Sequence, residues 1–132
     1  VTFSKSGKSS LSISYKDDDY RDSKAKYTIS QVVSRLKGKE YSIKGVDFEV
    51  DYISYKTSTD VINVRLVAIE DGADDISKSN LKNGAKDICE DIADTFIKDA
   101  GADPKTVKIE LYDEDEKSLA DYEYDVEDET IK

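Results

Sequence analysis

Leu81, Ala85, Ile88, Cys89, Ile92, Ala93, Phe96, Ile97 and Ala100 recur at helical spacing through residues 79–101, and Gly101 stops the run. This is one long amphipathic helix, and its apolar stripe must be buried against another layer. Lys82, Lys86, Asp87, Glu90, Asp91, Asp94 and Lys98 form its wet side. A chain organised round such an element has a true core. At 132 residues it is most simply one domain, burying roughly two thirds of its unfolded surface without staples.

The rest of the chain supplies the facing layer. Thr28-Ile29-Ser30-Gln31 fits a capping box, and Ile29, Val32, Val33 and Leu36 follow at i, i+3, i+4 and i+7 before Gly38. A short helix over 28–37 is expected, in competition with a strand over 26–33 that β-propensity alone would favour. Leu11, Ile13 and Tyr15 alternate with serines as a first strand. Val46, Phe48, Val50 and Tyr52 alternate with acids, which reads as a strand with one buried and one wet face. Val61 to Ile69 is a second, more central strand, and the two form a long hairpin from about Ile43 to Ile69. Strands over 107–111 and 118–125 flank a polar loop at Asp113 to Lys117. The expected class is α+β. It has about five strands in an antiparallel or mixed sheet with two helices on one face, order β-α-β-β-α-β-β, and a ferredoxin-like variant is the nearest analogy. Residues 1–10 are expected to be a flexible leader, 11–126 the single domain and 127–132 a frayed acidic tail.

Composition narrows the chemistry. There is no His, which removes the commonest general base, metal ligand and near-neutral switch. The single Cys89 excludes an internal disulfide, and its place on the apolar stripe reads as a small core residue. The net charge is −10 and lopsided: residues 1–60 hold 11 basic and 9 acidic residues, residues 61–132 hold 9 and 21. Such a surface repels nucleic acid and anionic lipid and suits a basic partner or cations. No apolar run is long enough to be a transmembrane segment, and no signal peptide is present. The chain opens on Val1 and not Met, as expected of a processed or trimmed N-terminus, and such trimming is compatible with the removal of a leader.

Motifs for catalysis are weak. Asp17-Asp18-Asp19 with Asp22, and Asp113-Glu114-Asp115-Glu116, offer oxygen ligands, but Arg21 and Lys117 fall at the fifth position of an EF-hand loop, so solvated turns are expected and no metal site is assigned. Glu49, Asp51, Glu110, Asp121 and Glu123 lie on neighbouring strands and could supply a carboxylate pair for glycoside hydrolysis. Carboxylates on the wet side of an amphipathic strand are usually no more than its solvated face. Ser6-Gly7-Lys8-Ser9 lacks the upstream Gly and preceding strand of a phosphate loop. No catalytic, cofactor-binding or metal residues are assigned. The unusual aromatic signal is nine Tyr against three Phe and no Trp. Tyr is enriched at interfaces. Tyr52 and Tyr55 fall on opposite faces of one strand, and Tyr122 and Tyr124 share a face of another. These four are the candidate partner surface.

The Ser-Lys-Ser-Gly-Lys-Ser-Ser stretch at 4–10, with Lys-, Asp-, Ser- and Ile-rich usage and little Pro, resembles the tether that follows the lipidated Cys of Gram-positive lipoproteins. That resemblance covers the first ten residues and the composition. It implies an extracytoplasmic location, secreted or held by a lipid anchor upstream, and says nothing of activity. The expected function is a non-catalytic binding or assembly module with a protein partner and no cofactor. The alternatives are an acidic inhibitor or regulator docking on a basic partner, and a small carboxylate-based hydrolase.

Overall fold

The structure, a computed structural model, describes residues 26–132. The expected leader, the strand at 11–15 and the Asp17-Asp18-Asp19 cluster lie outside the described residues. The first element is a short helix, α1, Ile29–Leu36. Its capping box forms as expected: Thr28 Oγ1 accepts from the Gln31 amide at 3.1 Å, and the Thr28 amide donates to Gln31 Oε1 at 2.9 Å. These two bonds satisfy first-turn donors that the strand alternative would have left to a ladder.

Three strands follow: β1, Glu40–Ile43, β2, Val46–Lys56, and β3, Val61–Ala68. A short 3-10 turn at Ala73–Asp75 leads to the long helix α2, Lys78–Ala100. Strands β4, Thr106–Tyr112, β5, Ser118–Asp125, and β6, Thr130–Ile131, complete the chain. Helix α2 is capped by Ser77, whose side chain accepts from the Asn80 amide, and is ended by Gly101 in the left-handed region at φ 63°. Both ends match the sequence pattern within two residues. Ile97, expected on the buried stripe, is exposed near the helix end instead.

The six described strands form one sheet in chain order, β1-β2-β3-β4-β5-β6. Every pairing is antiparallel except β3 with β4, which run parallel in register from Val61↔Thr106 to Val67↔Tyr112. The class, the two helices and the mixed sheet agree with expectation, but the details differ. A ferredoxin-like split needs another strand between the pair that flanks the second helix. Here β3 and β4 bond to each other directly, so that variant is excluded. β1 is an additional strand. Lys44 and Gly45, both at positive φ, join it to β2 through a two-residue turn of the hairpin kind. The stretch 127–132, expected to fray, turns back to add β6, with Lys132 and Glu123 exchanging two backbone bonds at 2.9 and 3.1 Å.

One core joins both helices to one side of the sheet. Val32 and Leu36 of α1, Phe48 and Val50 of β2, Ile62, Val64 and Leu66 of β3, the stripe of α2, and Val107, Ile109 and Leu111 of β4 all belong to it. The alternation in β2 breaks at a bulge between Val50 and Tyr52. Asp51 and Tyr52 both point to solvent, and Ile53 and Tyr55 return to the core. Tyr52, in phase with Val46, Phe48 and Val50 by sequence, is thereby placed on the opposite side: a slip of one residue inverts every later side chain.

Helix α2 approaches β1 closely at Gly84, where a Cβ would lie 2.8 Å from Cγ1 and 2.9 Å from Cγ2 of Ile43. Both atoms sit beside the branch point of Ile43 and cannot swing clear. Gly84→Ala should therefore destabilise the fold by about 1 kcal/mol, because overpacking of roughly 1–3 kcal/mol outweighs the roughly 0.8–1.0 kcal/mol that Ala gains over Gly in a helix. A urea midpoint at or above that of the parent chain would contradict this contact.

Candidate functional site

With both helices on one side, the other face of the sheet is uncovered among the described residues. Its side chains follow from register. One row across the strands reads Tyr52, Arg65, Glu110, Asp121, and the next reads Ser54, Asn63, Lys108, Glu123. Apart from Ser54, these residues line a concavity of about 570 Å³ that Lys132 also borders. Tyr52 is 52% exposed, the most exposed of the large hydrophobic side chains among the described residues.

Arg65 organises the centre of this face. Its guanidinium carbon lies 4.3 Å from the centroid of the Tyr112 ring, a cation–π stack that also shields the ring. Nη2 is 3.7 Å from Glu116 and Nε is 3.9 Å from Asp51. The Nε atom is buried without a hydrogen-bond partner, so these contacts hold the charge by proximity more than by aligned hydrogen bonds. No motif singles out Arg65; the available signal is that it is the one charged residue in the apolar strand Val61–Ala68.

The four tyrosines proposed as a partner surface do not share one. Tyr52 alone lies on the open face. Tyr55 turns inward, packs on Phe96 with ring centroids 5.1 Å apart and donates to Asp60 Oδ1 at 2.7 Å. Burial, then that bond to Asp60, raises its pKa. Tyr122 lies against the start of α2 and donates to the Lys78 carbonyl at 3.3 Å. Burial, then the Asp121 charge, raises its pKa. Tyr124 is 2% exposed and belongs to the core, with burial and the Glu90 charge pushing it up to about 12. The bulge turns Tyr52 outward and Tyr55 inward, and Tyr122 and Tyr124 do share a face, but it is the helix-covered one.

The carboxylates considered for hydrolysis are partly gathered. Glu110 stands opposite Asp121 on adjacent strands, and Glu123 stands opposite Lys108. Glu49 and Asp51 lie on β2, two strands from Glu110. Asp113, Glu114 and Asp115 bring ligand oxygens within 4.8 Å of one another. Asp113 is 8% exposed, and its burial has a local cause: Oδ1 accepts from the amides of Asp115 and Lys117 at 2.9 and 2.8 Å, closing the β4–β5 turn. The neighbouring Glu114 carboxyl is drawn down in pKa by its own backbone amide. The hydrogen bond with Asp71, slight desolvation and the Asp71 and Asp115 charges outweigh that and leave it raised. The loops after β3 and β4 thus meet at one acidic end of the sheet. Cys89 is fully buried, and burial together with Glu90 pushes its thiol up to about 12, in keeping with a core residue.

On the covered side, Asp91 of α2 accepts from Tyr41 at 2.6 Å and from Lys39 at 3.0 Å, tying the helix to β1 and the residue before it. Burial, reinforced by that bond to Asp91, raises the Tyr41 pKa. No protein-family model matches the chain, and no curated protein or solved structure matches it.

Two measurements check these local assignments. For Asp91, partial burial raises the pKa, but the bonds from Tyr41 and Lys39 and the Lys39 charge more than offset it and leave it below 3.8. A depressed carboxyl adds stability that is present above its unfolded value and lost as pH falls through the native one. Asp91→Asn should therefore unfold more readily than the parent chain at pH 7. The gap should close as pH falls below 3.8, which thermal melts across that window would reveal. For the turn, Asp113→Ala should cost about 1–3 kcal/mol, because it strands two amides at a buried site, and added Ca²⁺ should not change the melt of either protein.

Proposed function

We propose that this protein is a non-catalytic binding module whose docking surface is the uncovered face of the sheet. The observation that carries the reading is Tyr52, set outward by the β2 bulge beside a concavity of about 570 Å³ lined by strand side chains. A ring on a rigid strand loses little conformational freedom when it is covered, which suits an anchor at an interface. The residues round it come from β2, β3, β4 and β5, whose positions the core fixes, so the surface is preorganised. The Ser/Gly/Lys-rich stretch at 4–10 supports an extracytoplasmic setting, in which it would serve as a spacer from a surface.

The test is positional. A photo-crosslinker at Asn63, on the open face, should capture a discrete host protein that the same group at Asp87, on the outer side of α2, does not. Tyr52→Ala should reduce that capture several-fold with little change in thermal midpoint. Equal capture from both positions, or capture indifferent to Tyr52, would refute the reading.

A further inference from the structure

Charge is balanced on one row of the open face and unbalanced on the next. Lys108 stands opposite Glu123, which in turn pairs with Lys132 through two backbone bonds, so signs alternate along that row. In the adjacent row Glu110 stands directly opposite Asp121, and like charges in such positions destabilise a sheet. Arg65 is the register neighbour of Glu110 on β3, yet its charge is committed elsewhere: to Asp51, to Glu116 and to the ring of Tyr112. Among the described residues neither Glu110 nor Asp121 has an ion pair. Two facing carboxylates are thus held on a rigid surface, exposed, in the same row as the exposed Tyr52.

We propose, building on the docking reading, that this face receives a cationic segment of a partner protein, with a Lys or Arg side chain entering between Glu110 and Asp121. The apolar stem of that side chain or its neighbour runs toward Tyr52, two strands away at roughly 10 Å. A cation there removes the repulsion that the isolated sheet carries. The net charge of −10 steers such a partner inward and disfavours a second copy of the same chain.

Titration of the purified protein with a decalysine peptide, followed by fluorescence anisotropy at low and physiological salt, tests the assignment. The E110Q/D121N double variant should bind about tenfold more weakly, whereas D87N/D94N, which removes the same charge from the outer side of α2, should stay within about twofold. Free E110Q/D121N should melt at or above the parent temperature, because it loses a repulsive pair. Equal weakening in the two double variants would show binding by net charge alone and overturn the proposal, as would a lower melting temperature for E110Q/D121N. Self-association of the protein alone at the same concentrations would replace the partner by a second copy and also overturn it. If decalysine fails to bind while the Asn63 crosslink persists, the cationic assignment falls and the docking face stands. If the crosslink fails too, the docking reading falls with it.

Discussion

The parallel pairing of β3 with β4 is the constraint on which the rest of the molecule depends. Parallel neighbours cannot be joined by a tight turn, so the chain must travel back the length of the sheet between them. Helix α2, at 23 residues, spans about 34 Å and makes that return with its apolar stripe against the strands. Once it lies there, the other described strands on either side are laid down by antiparallel neighbours, and α1 fills the remaining space over β2. Coverage of one side follows from a single crossover, and so, among the described residues, does the bareness of the other.

Much of this was legible in the residues. The stripe from Leu81 to Phe96, the Gly101 boundary, the Thr28–Gln31 box and the β5 limits were all readable, because each is set by contacts within a few residues. What was not legible depends on partners distant in sequence. The order of elements does not say which strands are neighbours, so a ferredoxin-like arrangement and the observed sequential sheet look alike until β3 and β4 are seen to touch. β1 offers only Tyr41 and Ile43 as apolar residues, and the decisive signal was the Lys44-Gly45 turn. β6 was hidden by acidic composition, which describes the solvated side of Thr130–Ile131 and not its backbone pairing with β5.

The open face shows the same division. Tyr52 and Tyr55 were assigned to opposite sides by their odd spacing, but the phase change that decides which of them faces out is visible only when Val46, Phe48 and Val50 are set against Ile53 and Tyr55. Even positions give way to odd ones across Asp51. Glu110 and Asp121 were readable as wet-face acids on adjacent strands. That they stand directly opposite each other, with Arg65 engaged elsewhere, requires the register.

The bulge at Asp51 also separates what the core requires from what the open face displays. Removing that one residue would leave Val46, Phe48, Val50, Ile53 and Tyr55 in unbroken alternation, with Tyr52 still outward. The core does not need the extra residue. Its presence adds one acidic group to the exposed surface without altering any buried side chain, so a one-residue change in chain length at this point alters the outer face and leaves the interior intact.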